Sequence, residues 1–177
     1  MADAALALAT SGGWYAVSMR ALAAHLKVDL AALADRYPDP DAIADLVFMR
    51  ARDAMLSCTD ADLPPRYRAE RALWRWFDAL APNRTAAVDM LRAKLHPPHL
   101  HHWVPLPFHL SRLIWWLREA ALLDAQGRRR QREEIVLSGV FLAALAFWAT
   151  DDSGGQARTR KRVARLLDGA ERMLWRR

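Results

Sequence analysis

The stretch SMRALAAHLKVDLAALADRYPDPDA, residues 18–42, decides the fold of this chain. Ser18 and Asp29 each precede a short run rich in Ala and Leu, which form helices readily, and serine and aspartate are preferred at the start of a helix. Pro38 ends the second run, because proline cannot continue a helix. The stretch therefore predicts two short helices joined by a tight turn, the arrangement called helix-turn-helix.

The predicted helices of this motif span residues 19–26 and 30–37. An earlier helix ends at Gly12-Gly13, and a later one runs toward Met55. Lys27 stands in the turn between the two short helices, where it must adopt a positive φ if the turn has its usual geometry. In DNA-binding proteins with this motif, the second short helix enters the major groove.

The remainder of the chain also has a helical pattern, because β-branched residues are sparse and Ala, Leu and Arg dominate. Prolines and glycines divide the whole chain into about nine helices. We expect an all-α protein with an N-terminal helix-turn-helix head over residues 1–57. A helical body for ligand binding and dimerisation is expected over residues 63–177. Within it, Arg118 is expected on a solvated helix face and Glu133-Glu134 at the start of a later helix.

Charge is distributed unevenly along the chain. The formal net charge is +6, but residues 1–62 carry nine acidic and five basic side chains, whereas residues 63–177 carry 11 acidic and 21 basic ones. Duplex DNA is bound largely by neutralising phosphates with Lys and Arg. A local charge near −4 in the head therefore predicts repulsion of DNA.

Several segments of the head resemble the tetracycline-repressor family: Gly13-Trp14, residues 18–23, 28–33 and 36–38, and Asp41-Ala42. The resemblance implies a dimeric DNA-binding repressor whose body binds a small apolar inducer. The phosphate contacts that it implies come from Ser18, Arg20, Lys27, Arg36 and Tyr37. Two further phosphate contacts of the family are missing, because Ala34 and Pro40 occupy the positions of its tyrosine and lysine.

The body resembles a second family, coenzyme Q protein nine, over roughly residues 71–174. The residues that carry this resemblance are Leu95-His96-Pro97-Pro98, Trp116, Asp151-Asp152-Ser153, Thr159 and Leu166-Leu167. The resemblance implies a non-enzymatic accessory protein of ubiquinone biosynthesis that binds a lipid and presents it to a membrane-associated enzyme.

Apolar helix faces in the body predict a slot for a lipid or isoprenoid. The residues expected to line it are Leu73, Phe77, Leu80, Leu113, Trp116, Leu117 and Phe141. Tryptophans that are hard to bury predict a surface for a membrane or a partner enzyme. The residues expected on that surface are Leu95, His96, Pro97, Trp103, Trp115 and Trp175.

Two helices near the C-terminus predict a homodimer. Over residues 135–150 the pattern is apolar on every side, which requires burial in the monomer or against a second copy. The last helix carries an apolar face over residues 163–174 that includes Leu166 and Met173, with most of its arginines elsewhere.

No sequence pattern indicates catalysis, a cofactor or a metal. The four histidines of residues 96–102 lie in a proline-broken segment and lack the spacing of a helical metal site. Cys58 is the only cysteine and favours a reducing compartment. The uncharged residues 135–150 fall short of the roughly 20 that span a bilayer. We expect a non-enzymatic cytoplasmic protein, attached to the inner face of a membrane only if it serves a membrane enzyme.

Two functions are therefore favoured, and a third, a purely structural interaction module, is isolated by no feature of the sequence. The first is the lipid-binding accessory role, and the alternative is a DNA-binding repressor of the tetracycline-repressor family with an apolar inducer. The negative charge of the head favours the first.

Overall fold

The computed structural model describes residues 1–57, 61–94 and 105–175, and in the last range it describes side chains from residue 109 onward. Within these ranges the chain is helical and contains no strand, so the all-α prediction is confirmed. None of these helices is long and apolar enough to cross a membrane. The helices are α1 (Ala2–Gly12), α2 (Met19–Leu26), α3 (Leu30–Arg36), α4 (Pro40–Leu56), α5 (Pro65–Leu80), α6 (Arg84–Lys94), α7 (Pro105–Ala120), α8 (Gly127–Trp148) and α9 (Ala157–Leu174).

The two short helices begin where the sequence predicts. Ser18 and Asp29 adopt extended backbone conformations and cap α2 and α3 with their side-chain oxygens. α3 ends at Arg36, one residue earlier than expected. Tyr37 is already extended, because a residue before proline is kept out of the helical region.

The first of two compact units combines residues 1–51 with residues 79–105. Its buried residues include Trp14, Leu22, Leu33, Ile43 and Met90. Lys94 Nζ of α6 lies 3.1 Å from the Asp45 carboxylate of α4. This unit differs from the expected head, residues 1–57, because α6 packs against α1.

The second unit combines residues 52–78 with residues 106–177. Its core contains a cluster of rings around Phe77 of α5. The Phe77 ring lies 5.7 Å from Phe141, 5.3 Å from Trp148 and 5.0 Å from Trp76, measured between ring centroids. Such rings bury large apolar areas, so this cluster holds α5 against α8.

Arg118 of α7 and Glu133 of α8 form a buried ion pair in the second unit. Both side chains are 2% exposed, and the guanidinium Nε and Nη2 lie 3.2 and 3.1 Å from Glu133 Oε2. Nη2 also donates to the carbonyl oxygens of Leu123 and Ala125. The indole N–H of Trp175 donates to Glu133 Oε1 at 3.1 Å. One carboxylate thus joins α7, α8 and the segment after α9.

Two sequence predictions are wrong at this pair. Arg118 is buried rather than solvated, because its guanidinium satisfies two loop carbonyls as well as Glu133. α8 begins at Gly127, so Glu133-Glu134 lie beyond its first turn. Glu133 is the acidic partner of a buried arginine and not a charge at the start of a helix.

The connection between α8 and α9 is organised by the carboxylate of Asp151. Oδ1 accepts hydrogen bonds from the N–H and hydroxyl of Ser153 at 3.0 and 2.6 Å. Oδ2 accepts from the N–H and hydroxyl of Thr159 at 2.8 and 2.7 Å. The Ser153 and Thr159 hydroxyls hold the pKa of Asp151 well below its ordinary value of 3.8. The ionised carboxylate therefore fixes the first turn of α9.

We expect Arg118→Leu to lower the free energy of unfolding by roughly 3–5 kcal/mol, because it leaves the Glu133 carboxylate buried without its cation. Chemical denaturation at one protein concentration measures the change. Arg130→Ala is the matched control: Arg130 pairs with Glu134 at 2.8 Å near the surface, and its loss should cost less than about 1 kcal/mol. Equal effects of the two variants would contradict the role given to the buried pair.

Asp151→Asn should destabilise the protein near neutral pH and destabilise it less in acid. Because the folded-state pKa of Asp151 lies below its unfolded value, the carboxylate stabilises the fold above about pH 4 and stops doing so as the pH falls further. The difference in unfolding free energy between wild type and variant should begin to shrink as the pH falls below about 5 and should keep shrinking below about pH 3. Urea denaturation across that range measures it. The exposed Asp124 provides the control Asp124→Asn, and the same pH dependence there would count against this assignment.

Candidate nucleic-acid interface

The two short helices are joined by a closed turn at Lys27. Lys27 has φ 56° and ψ 41°, which is the left-handed conformation that the turn requires. Its N–H donates to the carbonyl of Ala24 at 3.3 Å, and the N–H of Val28 donates to the carbonyl of Ala23 at 3.0 Å. These two hydrogen bonds end α2 and leave the Lys27 side chain exposed.

The first turn of α3 is held by Asp29. Its Oδ2 accepts hydrogen bonds from the N–H groups of Ala31 and Ala32 at 3.0 and 3.4 Å. Leu33 is the buried residue of α3, and the other six residues of this helix are exposed. α3 thus packs through one side chain and presents the rest of its surface to solvent.

The residues expected to meet phosphates lie at the ends of the two helices. Ser18, Arg20, Lys27 and Arg36 are exposed, and Tyr37 is half-buried. The ion pairs of the described residues do not involve Arg20, Lys27 or Arg36. The three cations are therefore available to a ligand with negative charge.

A solved structure with this fold is the TetR transcriptional regulator from Nitrosomonas europaea ATCC 19718. It is 31% identical to the chain, with a TM-score of 0.82 over 96% of this chain and 94% of that chain. The chain belongs to the TetR family. Here TetR denotes the tetracycline-repressor family that the head resembles.

Two further TetR-family structures support the fold. The TetR transcriptional regulator from Rhodococcus sp. RHA1 has a TM-score of 0.74 at 14% identity, over 94% of this chain and 91% of that chain. The putative tetR family transcription regulator from Shewanella sp. PV-4 has a TM-score of 0.56 at 17% identity, over 96% and 94%. No family model and no curated protein matches the sequence. Nothing in these comparisons supports the resemblance to coenzyme Q protein nine.

The charge around the TetR helix-turn-helix is more balanced than the count over residues 1–62 indicates. The compact unit that contains the motif carries seven acidic and seven basic side chains, so its formal charge is zero. Half of the difference arises because α6 adds Arg84, Arg92 and Lys94 against one acid, Asp89, and half because residues 52–62, with three acids and one base, belong to the other unit. The predicted repulsion of DNA is therefore wrong. The net charge of −4 is that of residues 1–62 in sequence, whereas the folded unit that contains the motif has a formal charge of zero.

Several carboxylates of this unit also have local partners. Asp3 accepts hydrogen bonds from Arg50, and these lower the pKa of Asp3. Asp45 pairs with Lys94 at 3.1 Å. Asp39 accepts from the N–H of Ala42 at 2.8 Å and caps α4. These acids serve the fold of the TetR head, which leaves fewer of them to oppose a phosphate.

The residues expected to line a ligand slot are mostly buried. Leu73, Phe77, Leu80, Leu117 and Phe141 are buried, and Leu113 and Trp116 are half-buried. The Phe77 and Phe141 rings stack with centroids 5.7 Å apart. Because the two rings are in contact, there is no open space between them. A ligand slot at this place stays a prediction, and it requires the rings to separate.

The expected partner or membrane surface is described only in part. Leu95, His96, Pro97 and Trp103 lie outside the described residues. Trp115 is 36% exposed and its ring meets that of Trp116 at 4.4 Å. Trp175 is half-buried and bonded to Glu133, which gives it a structural role in this TetR-family body.

Sequence reasoning missed a groove of about 400 Å³ along α5. Its lining residues are Leu63, Tyr67, Glu70, Arg71, Trp74, Arg75, Asp78 and Arg160. Arg160 of α9 lies over the Trp74 ring, 4.0 Å from its centroid, and pairs with Asp78 at 2.5 Å. Helical spacing alone could have identified the α5 face, but not the arginine that reaches it from α9.

In the part of the chain that the structure describes, no cluster of His, Cys, Asp and Glu could hold a metal ion.

We expect Lys27→Gly to raise stability and weaken DNA binding. Glycine removes the steric strain of about 1–2 kcal/mol, but it loses roughly 0.5–1 kcal/mol more conformational entropy on folding, so the free energy of unfolding should rise by up to about 1 kcal/mol. Loss of the phosphate contact expected of Lys27 should lower the slope of log affinity against log salt concentration by about 1. Thermal melting and salt titrations of duplex binding measure the two effects.

Lys27→Arg is the control for this prediction, because it keeps the charge and the strained backbone. It should leave both the melting temperature and the salt slope close to wild type. A lower melting temperature of Lys27→Gly, or an unchanged salt slope, would contradict the function given to this turn.

Proposed function

We propose that this chain is a DNA-binding transcriptional regulator of the TetR type that acts as a homodimer. The observation that carries the proposal is the helix-turn-helix in which Arg20, Lys27 and Arg36 are exposed and take no part in the ion pairs of the described residues. The relative from Nitrosomonas europaea is itself named a TetR transcriptional regulator. Family membership makes the same role the first expectation here.

Phosphate binding would use both ends of the short helices. Ser18 Oγ accepts from Ala21 N–H at 3.1 Å and keeps its hydroxyl hydrogen for a phosphate oxygen. Arg20 lies in the first turn of α2, where the helix dipole also favours an anion. Lys27 and Arg36 follow at the C-terminal ends of α2 and α3. Each phosphate that is neutralised releases counterions, so the affinity should fall steeply with salt.

The dimer would form through an apolar stripe on α8. Ile135, Gly139, Leu142 and Ala146 lie on the helix face opposite its buried residues, and all are exposed. Ile135 is 72% exposed, as is Met173 of α9. Exposed apolar surface of this kind marks an interaction site. A second copy supplies the same stripe across a two-fold axis, which would bury the side of α8 that one chain leaves open.

A homodimer would also compensate for the two phosphate contacts that the head lacks. Ala34 and Pro40 cannot bind phosphate through their side chains, so a single head has few contacts. A two-fold dimer brings two heads to half-sites about one turn of DNA apart and doubles the contacts. The affinity of the pair is therefore much greater than that of one head.

The inducer in this proposal is a small apolar molecule that enters between the rings of Phe77 and Phe141. Their faces are apolar and stacked, so a ligand that separates them replaces one set of apolar contacts with another. Such a ligand would move α5 relative to α8, which is a shift that an effector can use.

The lipid-binding accessory role is not proposed, because the segment that most suggested it has a local explanation. Asp151, Ser153 and Thr159 form the hydrogen-bonded start of α9. Trp116 packs against Trp115. Neither observation calls for a lipid or a membrane enzyme.

Selection of duplexes from a random library by the purified full chain tests the proposal. We expect a site with two-fold symmetry that is bound at least about 10³-fold more tightly than a scrambled duplex. Gel-shift titrations measure this ratio and its loss with salt. A chain that enriches no sequence contradicts the proposed function.

Ile135→Asp should abolish both the dimer and tight operator binding, because it places a charge in the apolar stripe while the buried face of α8 is untouched. Sedimentation velocity and gel shifts measure the two losses together. Leu122→Asp makes the same kind of change at an exposed leucine outside α8 and α9, and its backbone φ of 51° is tolerated by aspartate. It should remain a DNA-binding dimer. A wild-type chain that is monomeric and still binds a symmetric operator tightly would contradict the proposed dimer.

A further inference from the structure

The outer face of α3 is made almost entirely of apolar groups. Each residue turns a helix by about 100°, so Ala31 and Asp35 lie nearly opposite the buried Leu33. Ala32 and Ala34 flank them, and Leu30 lies at the edge of this face, about 60° from Leu33. All five of these residues are exposed, as is Val28 just before the helix.

This composition limits what the helix can do in a major groove. Hydrogen-bond readout of bases relies chiefly on Arg, Lys, Asn and Gln, whereas alanine and other apolar groups contact the C5 methyl group of thymine. Two side chains of α3 can form hydrogen bonds, those of Asp35 and Arg36. Arg36 lies at the C-terminal end of the helix, and in the proposed function it binds a phosphate. The Asp29 carboxylate before α3 is already bonded to Ala31 and Ala32 N–H.

Asp35 is then the hydrogen-bonding side chain of α3 that faces outward. Its carboxylate has no ion pair among the described residues and offers acceptors only. In the major groove, a carboxylate can accept from the N4 amino group of cytosine. It is repelled by guanine O6 and N7 and by thymine O4, which are acceptors as well.

We propose that α3 identifies its operator mainly by thymine C5 methyl groups against Leu30, Ala31 and Ala34, and by one cytosine amino group that donates to Asp35. This inference rests on the proposed function and adds the chemistry of the DNA that is bound. The short alanine side chains allow the helix to approach the base edges closely, which a methyl contact requires. Cations of the same head hold phosphates and carry no base preference.

The experiment begins with the operator that the full chain selects from random duplexes. Thymines of each half-site are then replaced, one at a time, by deoxyuridine, which removes the C5 methyl group and leaves base pairing intact. We expect about a four-fold loss of affinity for each contacted methyl, and at least two such thymines per half-site. Asp35→Ala should lose the preference for cytosine at one position and bind random duplexes more tightly, because a negative charge near the phosphates is removed.

Arg36→Ala is the matched control, and it should weaken binding to all sequences alike without changing base preference. A selected operator whose affinity is unchanged by deoxyuridine at every thymine overturns the methyl readout, while the proposed function survives. An Asp35→Ala chain with the wild-type base preference overturns the cytosine contact. Failure of the wild-type chain to enrich any sequence overturns the proposed function, and this inference falls with it.

Discussion

The left-handed backbone at Lys27 is the constraint on which the rest of the interface depends. It ends α2 and redirects the chain into α3 within a few residues, and the N–H groups of Lys27 and Val28 close the turn. A lysine in this conformation costs about 1–2 kcal/mol more than a glycine would in steric strain. Strain of this kind is kept where a site uses it. In the proposed function, a cation held at the corner of the motif would be such a use, since glycine would keep the turn and lose the charge.

The electrostatics of the motif depend on a helix that is distant in sequence. α6 begins at Arg84, yet it belongs to the same compact unit as α1 to α3. Its basic residues balance acids that lie near the N-terminus, and Lys94 does so directly at Asp45. A charge summed over neighbouring residues in sequence therefore misjudges the electrostatic field around the motif. The relevant sum runs over residues that are close in space.

Local signals explain what could be predicted from the sequence. The caps at Ser18 and Asp29, the stop before Pro38 and the positive φ of Lys27 each depend on neighbours within a few residues, and all appear in the structure. Arg118 and Glu133 are paired across two helices, so neither burial could be inferred from its own helix. The same holds for Arg160 over Trp74. The cations of the candidate site were predicted from the resemblance to a family. That they have no acidic partner among the described residues could be seen only in the folded structure.

In the proposed function, affinity and sequence preference come from different atoms of this head. Because each is weak in a single head, the regulator needs a dimer, and the apolar stripe on α8 is the surface that would form it. Cations at the helix ends would bind any duplex, while methyl contacts from alanine would be individually weak, so one head would separate a correct site from a wrong one only modestly. The free energies of two half-sites add, and the discrimination of a dimer is therefore the square of that of one head. An alanine-faced α3 is useful to a regulator only if a second copy is attached. Ile135 and Leu142, exposed on a single chain, are the residues that such an attachment would bury.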